Sequence, residues 1–220
     1  MGRGFRRMSE HETGQAPETQ SGADALIYSR RREKSEAMRR RVCDAATAHL
    51  AEFGYHRTSV GKIAERAGVS QGALQHHYPT KDDLVAAIAD CILTRSVKWF
   101  SIARLELARG PDAFAEVVRR SWREQFCSDD YAAILEILIA SRTHPALLSR
   151  IAPALARWRS RIDAEIAELL PSTQRTAQEL DAILSISRAM MTGLLVHDQL
   201  LKDDAHIDFV IDQWIALARR

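Results

Sequence analysis

Apolar positions recur at three- and four-residue steps from Ser35 onward. Val42, Ala45, Ala46, His49, Leu50 and Phe53 make the stripe of an amphipathic helix, and Gly54 follows as a helix-ending glycine. Thr58 or Ser59 can cap a second helix near 59–67, whose inner side is Val60, Ile63, Ala64 and Ala67. Ala67-Gly68-Val69 reads as a tight turn, because glycine takes positive φ without steric cost. Ser70 caps a short third helix, Gln71 to Tyr78. Pro79 interrupts, Thr80 caps again, and Lys81-Asp82-Asp83 open a long helix whose acidic first turn suits the macrodipole. Its apolar positions are Leu84, Ile88, Cys91, Ile92, Val97 and Phe100. Further helices are predicted at about 111–127, 129–142, 145–169, 174–201 and 206–219. No segment shows sustained period-two alternation. The pattern predicts an all-α chain: a three-helix N-terminal domain, then a helical domain of about six.

Residues 1–33 are rich in Gly, Ser, Thr, Gln, Glu and Arg and poor in large apolar side chains, which predicts a disordered tail. Arg3, Arg6, Arg7 and Arg30 to Arg32 could form a basic arm there, or simply be solvated. The predicted domains are residues 34–80 and 81–220. Charge sharpens this division. The net formal charge is +1 over residues 1–33, +4 over 34–81 and −3 over 82–220. A compact basic segment beside an acidic remainder points to a polyanion partner for that segment alone. Cys43, Cys91 and Cys127 are odd in number and share no CxxC spacing, so reduced thiols in a cytoplasmic protein are expected. The longest apolar runs look too short to span a bilayer, and no membrane partner is expected.

The densest signal is TSVGKIAERAGVSQGALQHHYPTK over residues 58–81. Two short helices joined by a tight turn form a helix-turn-helix. Ala64 is small where the helices cross; Ile63, Val69 and Leu74 are apolar and pin their angle. Gln71, Gly72, Ala73, Gln75 and His76 are left facing outward, as residues entering a major groove must be. Ala73 can meet a thymine methyl and Gln71 can pair with adenine. Adjacent His76 and His77 point about 100° apart on a helix, which favours DNA contact and packing over one shared metal ion.

The stretch AATAHLAEFGYHRTSVGKIAERAGVSQGALQHHYPTKDDL, from Ala45 to Leu84, resembles the tetracycline-repressor (TetR) family of regulators. The resemblance covers an aromatic and Gly before a capped helix, then I-A-x-x-A-G-V-S, G-x-L, an aromatic cluster, and Lys with acids before Leu. It implies three N-terminal helices for DNA and about six for effector binding and dimerisation. It places Ser59, Gln71, Gly72, Ala73, Gln75, His76, His77 and Lys81 at DNA-contact positions. Two positions depart from it: Gln75 stands where a phosphate-touching Tyr is common, and Gly61 where a basic or polar residue is common. Tyr78, in the usual Phe place, is expected to pack inward or to offer its hydroxyl to phosphate.

In the larger domain Trp99, Trp122, Phe126, Trp158, Met190 and Met191 are candidates to line an effector pocket, with His197 as a polar anchor. Phe100 and Tyr131 join that aromatic set. A dimer seam is expected on the last two helices, with Leu184, Ala189, Gly193, Leu194, Val210 and Trp214 in it. The expected partners are double-stranded operator DNA, a small, largely apolar effector and a second copy of the chain. No catalytic triad order, P-loop, GxGxxG or HExxH spacing is present, and no cofactor is expected. An enzyme and a DNA-free helical interaction protein are the rival classes. Repression, with release by effector, is what the resemblance implies.

Overall fold

Capping residues and glycine breaks divide the chain into helices, and every element among the described residues is helical. The computed structural model describes residues 18–201 and 203–219. These fall into a unit of residues 1–40 and a unit of residues 41–220. The first unit, from Glu18, lies in helix α1 (Glu18–Phe53), where Ser29 donates to Glu33 (3.1 Å) and Arg32 pairs with Glu36 (2.9 Å). The tail expected over residues 1–33 is therefore corrected from Glu18 onward. That stretch holds Ala, Leu, Glu and Arg, which favour helix, and extending a helix costs less than nucleating one. Its lack of an apolar stripe hid it from periodicity. Residues 1–17, with Arg3, Arg6 and Arg7, lie outside the described residues, as do the side chains of Arg30 and Arg31.

In the second unit, the rest of α1 packs with α2 (Val60–Ala67) and α3 (Gln71–His77) around the buried Leu50, Ile63 and Leu74. The turn between α2 and α3 rests on Gly68, whose φ of +63° places it in the left-handed region. Arg41 of α1 clamps this turn by donating to the carbonyls of Ala67 and Gly68, each at 3.2 Å. Helix α4 (Lys81–Leu107) begins with a reciprocal cap: Thr80 accepts the Asp83 N–H, and Asp83 accepts the Thr80 N–H.

Helix α4 then runs along α7 (Pro145–Leu169) and touches α5 (Ala113–Arg120) and α6 (Asp129–Ser141). Helix α5 runs on into a π-helical turn, Ser121–Phe126. Helices α8 (Ala177–Leu201) and α9 (Asp204–Ala218) complete the body, with Val118, Met191, Ile207, Ile211 and Ile215 as a buried cluster. Cys43 of α1 and Cys91 of α4 form a disulfide, against the expectation of reduced thiols. Helix packing brings their Cα atoms to 6.8 Å, within bridging range, whereas their 48-residue separation gave no pairing signal.

Candidate functional site

Helix α3 is held at its N-terminus and from below. Ser70 caps it by accepting the Ala73 N–H at 3.2 Å, and Leu74 is its one buried side chain. Gln71, Gly72, Ala73, Gln75, His76 and His77 are all exposed on the same short helix. A Cβ at Gly72 would meet nothing within 4 Å, so this surface is open to close approach. At Gly61 a Cβ would lie 3.2 Å from Gln71 Oε1: the glycine makes room for the Gln71 amide against α2. Ser59 is also exposed, and its Oγ accepts the Lys62 N–H at 3.3 Å as the α2 cap. Tyr78 is half-buried at the end of α3.

Lys81, the eighth candidate DNA contact, is engaged elsewhere. Its Nζ donates to the Tyr55 carbonyl at 2.6 Å and lies 3.8 Å above the Tyr55 ring. Burial lowers its pKa, against the pull of Asp82. Tyr55 in turn donates its hydroxyl to Asp82 at 2.7 Å and its N–H to Glu136 of α6 at 3.3 Å. Burial, then the Asp82 hydrogen bond and charge, push the Tyr55 phenol up to about 12. Arg150 of α7 pairs with Asp83 at 2.7 Å. The Tyr55 contacts latch the head onto α4 and α6, and the Arg150–Asp83 pair ties α4 to α7.

Within the body a cavity of about 350 Å³ lies among α4, α5, the π-helical turn, α6, α7 and α8. Its walls are almost wholly apolar and include Trp99, Phe126, Trp158 and Met191 from the candidate set, with Phe100 and Tyr131. The π-helical turn brings Ser121, Gln125 and Phe126 to this wall, a common use of such a turn. Trp122 and Met190 do not line it; they pack on the buried cluster beside α9. His197 is exposed and also absent from the lining, so the structure does not bring it to the pocket. Sequence reasoning missed Arg188, which does line it. The available signal was a charge standing inside the apolar run Ile183 to Val196.

The candidate seam residues separate into three environments. Leu184 lines the cavity. Leu194 and Trp214 pack on the internal cluster, and Trp214 Nε1 donates to Ser187 at 2.9 Å. Ala189 is exposed, and Gly193 and Val210 are partly exposed. The largest apolar side chains left exposed on α8 and α9 are others: Ile186, Val196, Phe209 and Leu217. Residues Ala177–His197 are long and apolar enough to cross a membrane by length and composition alone, contrary to the reading of the apolar runs as too short.

Comparison with known proteins agrees with this geometry. The family profile for bacterial regulatory proteins of the tetR family matches residues 42–88, which span the head and the start of α4. The HTH-type transcriptional regulator CymR of Pseudomonas putida is 28% identical over 187 residues, covering 85% of this chain and 92% of that protein. A TetR-family regulator from Mesorhizobium loti shares the fold, with a TM-score of 0.68 at 16% identity over 84% of this chain and 96% of the other. So does FadR of Bacillus subtilis, solved with stearoyl-CoA: its TM-score is 0.58 at 17% identity, over 81% and 96% of the two chains. Residues 42–88 thus match the tetR family of bacterial regulatory proteins, and the chain is a DNA-binding transcriptional regulator similar over most of its length to regulators of that kind.

Proposed function

We propose that this regulator is a cytoplasmic homodimeric repressor, without enzymatic activity, that leaves its operator when a small, largely apolar effector enters the α4–α8 cavity. The observation that carries the reading is the outward face of α3, six neighbouring exposed residues on a helix capped by Ser70 and pinned by Leu74. Gln71 to His77 would reach base edges, and the +4 charge over residues 34–81 would attract the phosphate backbone. The functional division is a head of 34–80 and an effector-binding, dimerising body of 81–220, with the residues before 34 outside both.

The cavity's volume of about 350 Å³ lies in the range of small-molecule sites, and FadR, which shares the fold, was solved with an acyl-CoA bound. Dimerisation follows from the apolar face of α8 and α9. Ile186 is 50%, Val196 52%, Phe209 60% and Leu217 60% exposed in the single chain. Exposed apolar side chains on two neighbouring helices are what a protein or membrane contact covers, and a second copy would cover them by two-fold packing.

The test is fluorescence anisotropy on duplexes selected from a random pool by the purified protein. The expected result is a preference of about 10³-fold or more for the selected sequence over random duplex, with affinity falling steeply as salt rises. Equal, salt-insensitive affinity for both would overturn the α3 assignment.

A further inference from the structure

Four of the polar side chains around the cavity are engaged by the protein itself. Trp158 Nε1 donates to Ser96 at 2.9 Å, and Ser96 donates to the Leu93 carbonyl at 2.9 Å. Ser121 donates to the Val117 carbonyl at 2.7 Å. Thr192 uses its single hydroxyl proton on the Arg188 carbonyl at 2.7 Å, so the Tyr131 hydroxyl must be the donor in its contact with Thr192. None of these protons is available to a ligand.

Arg188 differs. Among the described lining residues it is the one charged side chain, and none of them is a carboxylate. Its guanidinium lies 5.5 Å from the Trp158 ring centre and makes one long hydrogen bond, 3.5 Å, to Ser185. Among the described residues no carboxylate pairs with it; the same holds for Arg109, Arg142 and Arg161, but of these Arg188 alone lines the cavity, whereas Arg104, Arg120 and Arg159 are paired. Its charge is also felt at the Tyr131 phenol, where it opposes the upward push of burial. An unpaired cation at the rim of an apolar chamber is complementary to an anion carried on an apolar body.

We infer that the effector is an apolar monocarboxylate whose carboxylate is held by Arg188 and whose hydrocarbon body fills the chamber between Trp99, Phe126 and Trp158. This rests on the reading of the cavity as the effector site. Size follows from volume. A dry apolar cavity of roughly 150 Å³ takes up benzene, so about 350 Å³ corresponds to about 14 non-hydrogen atoms. A free acid of that size fits, whereas the stearoyl-CoA carried by FadR would extend far outside it.

Isothermal titration of the full chain tests this with probes of matched length: dodecanoate, dodecanamide, dodecylamine, 6-phenylhexanoate and dodecanoyl-CoA. Both acids should bind at least about tenfold tighter than the amide, and the amine most weakly. In Arg188→Met, which keeps an apolar stem, the preference for acid over amide should fall to about one while amide binding persists. Arg188→Lys should retain most of it. Equal binding of acid and amide to the unaltered chain would overturn the carboxylate, and that comparison needs no variant. So would an acid preference that survives Arg188→Met. Tighter binding of dodecanoyl-CoA than of dodecanoate would assign the anion to an external phosphate and overturn the free acid. These three outcomes leave the cavity reading standing. Failure of every probe, neutral or charged, to bind would overturn both.

Discussion

On the proposed function, single residues divide into those that would read DNA, those that hold the reader and those that would face the effector. Gln71 and Gly61 show how closely the first two are joined, since the Gln71 amide lies where a Gly61 side chain would be. Gly61→Ala should raise thermal stability by about 0.5–1 kcal/mol, because it removes a glycine from inside α2, while shifting the preferred base at the Gln71 position. Gln71→Ala should relax one base pair at a cost of ~1–3 kcal/mol. Affinities for single-base variants of the selected duplex check both; an unchanged profile in Gly61→Ala would detach Gln71 from base reading. Tyr55 belongs to the holding set. Its phenol rises from 10.0 to about 12, so the folded state keeps that proton more tightly than the unfolded chain does. The resulting stabilisation is complete below pH 10 and is lost as pH climbs towards 12. Lys81 is shifted downward and has the opposite sign, so the comparison must be made against Tyr55→Phe, in which Lys81 remains. The stability gap between the unaltered chain and Tyr55→Phe should narrow from pH 10 to 12 in denaturant titrations, and a gap independent of pH would remove the Tyr55–Asp82 bond from the latch. The motif led to Gln71 as an outward residue, and it is exposed on α3. The motif gave Lys81 no inward role, because the Tyr55 carbonyl that receives it lies 26 residues away.

Among the elements, α6 touches both the cavity and the head, as α4 does. Tyr131, Ile134, Leu135 and Leu138 line the cavity, while Glu136 accepts the Tyr55 N–H. The contact at the head is tight: a Cβ at Gly54, where φ is +73°, would lie 2.7 Å from Glu136 Oε2. A shift of α6 on effector entry would therefore be felt at the turn that follows α1. Glu136→Ala leaves the Tyr55 N–H without its acceptor and should destabilise the fold by ~1–3 kcal/mol, with faster hydrogen exchange at the Tyr55 amide. Glu136→Gln keeps an acceptor and should behave nearly like the unaltered chain. Exchange at Tyr55 that is equally slow in Glu136→Ala would show that α6 does not hold the head. The helices themselves were largely legible, because Ser59, Ser70 and Thr80 cap them and Gly54 and Gly68 break them. The link from α6 to the head was not, since Glu136 and Tyr55 stand 81 residues apart and only the packed body brings them together. Nor was the helical stretch of α1 before residue 34, which carries no stripe to read.

For the whole molecule the decisive question is what covers α8 and α9. The apolar residues of α8 point in several directions at once: Leu184 and Met191 to the cavity, Met190 and Leu194 to the buried cluster, Ile186 and Val196 outward. A sequence stripe that wide shows that the helix is partnered on more than one side but cannot say which residue meets which partner. That is why Trp214 and Leu194 read as seam residues although both pack within the chain. Val196→Arg and Phe209→Glu each place a charge on the outward face, harmless to a single chain but unpaired and buried in a two-fold seam. Analytical ultracentrifugation should show monomers with unchanged far-UV circular dichroism. Trp214→Glu should instead lower the melting temperature, because it puts a charge against the internal cluster and removes the bond to Ser187. The monomeric variants should also lose operator affinity far more than random-duplex affinity. A dimer places two α3 helices on successive major grooves about 34–36 Å apart, and one head alone engages only half of the site. A clean dimer from both Val196→Arg and Phe209→Glu would move the seam off this face, whereas monomers that still bind the full operator at the original affinity would make dimerisation dispensable for DNA recognition.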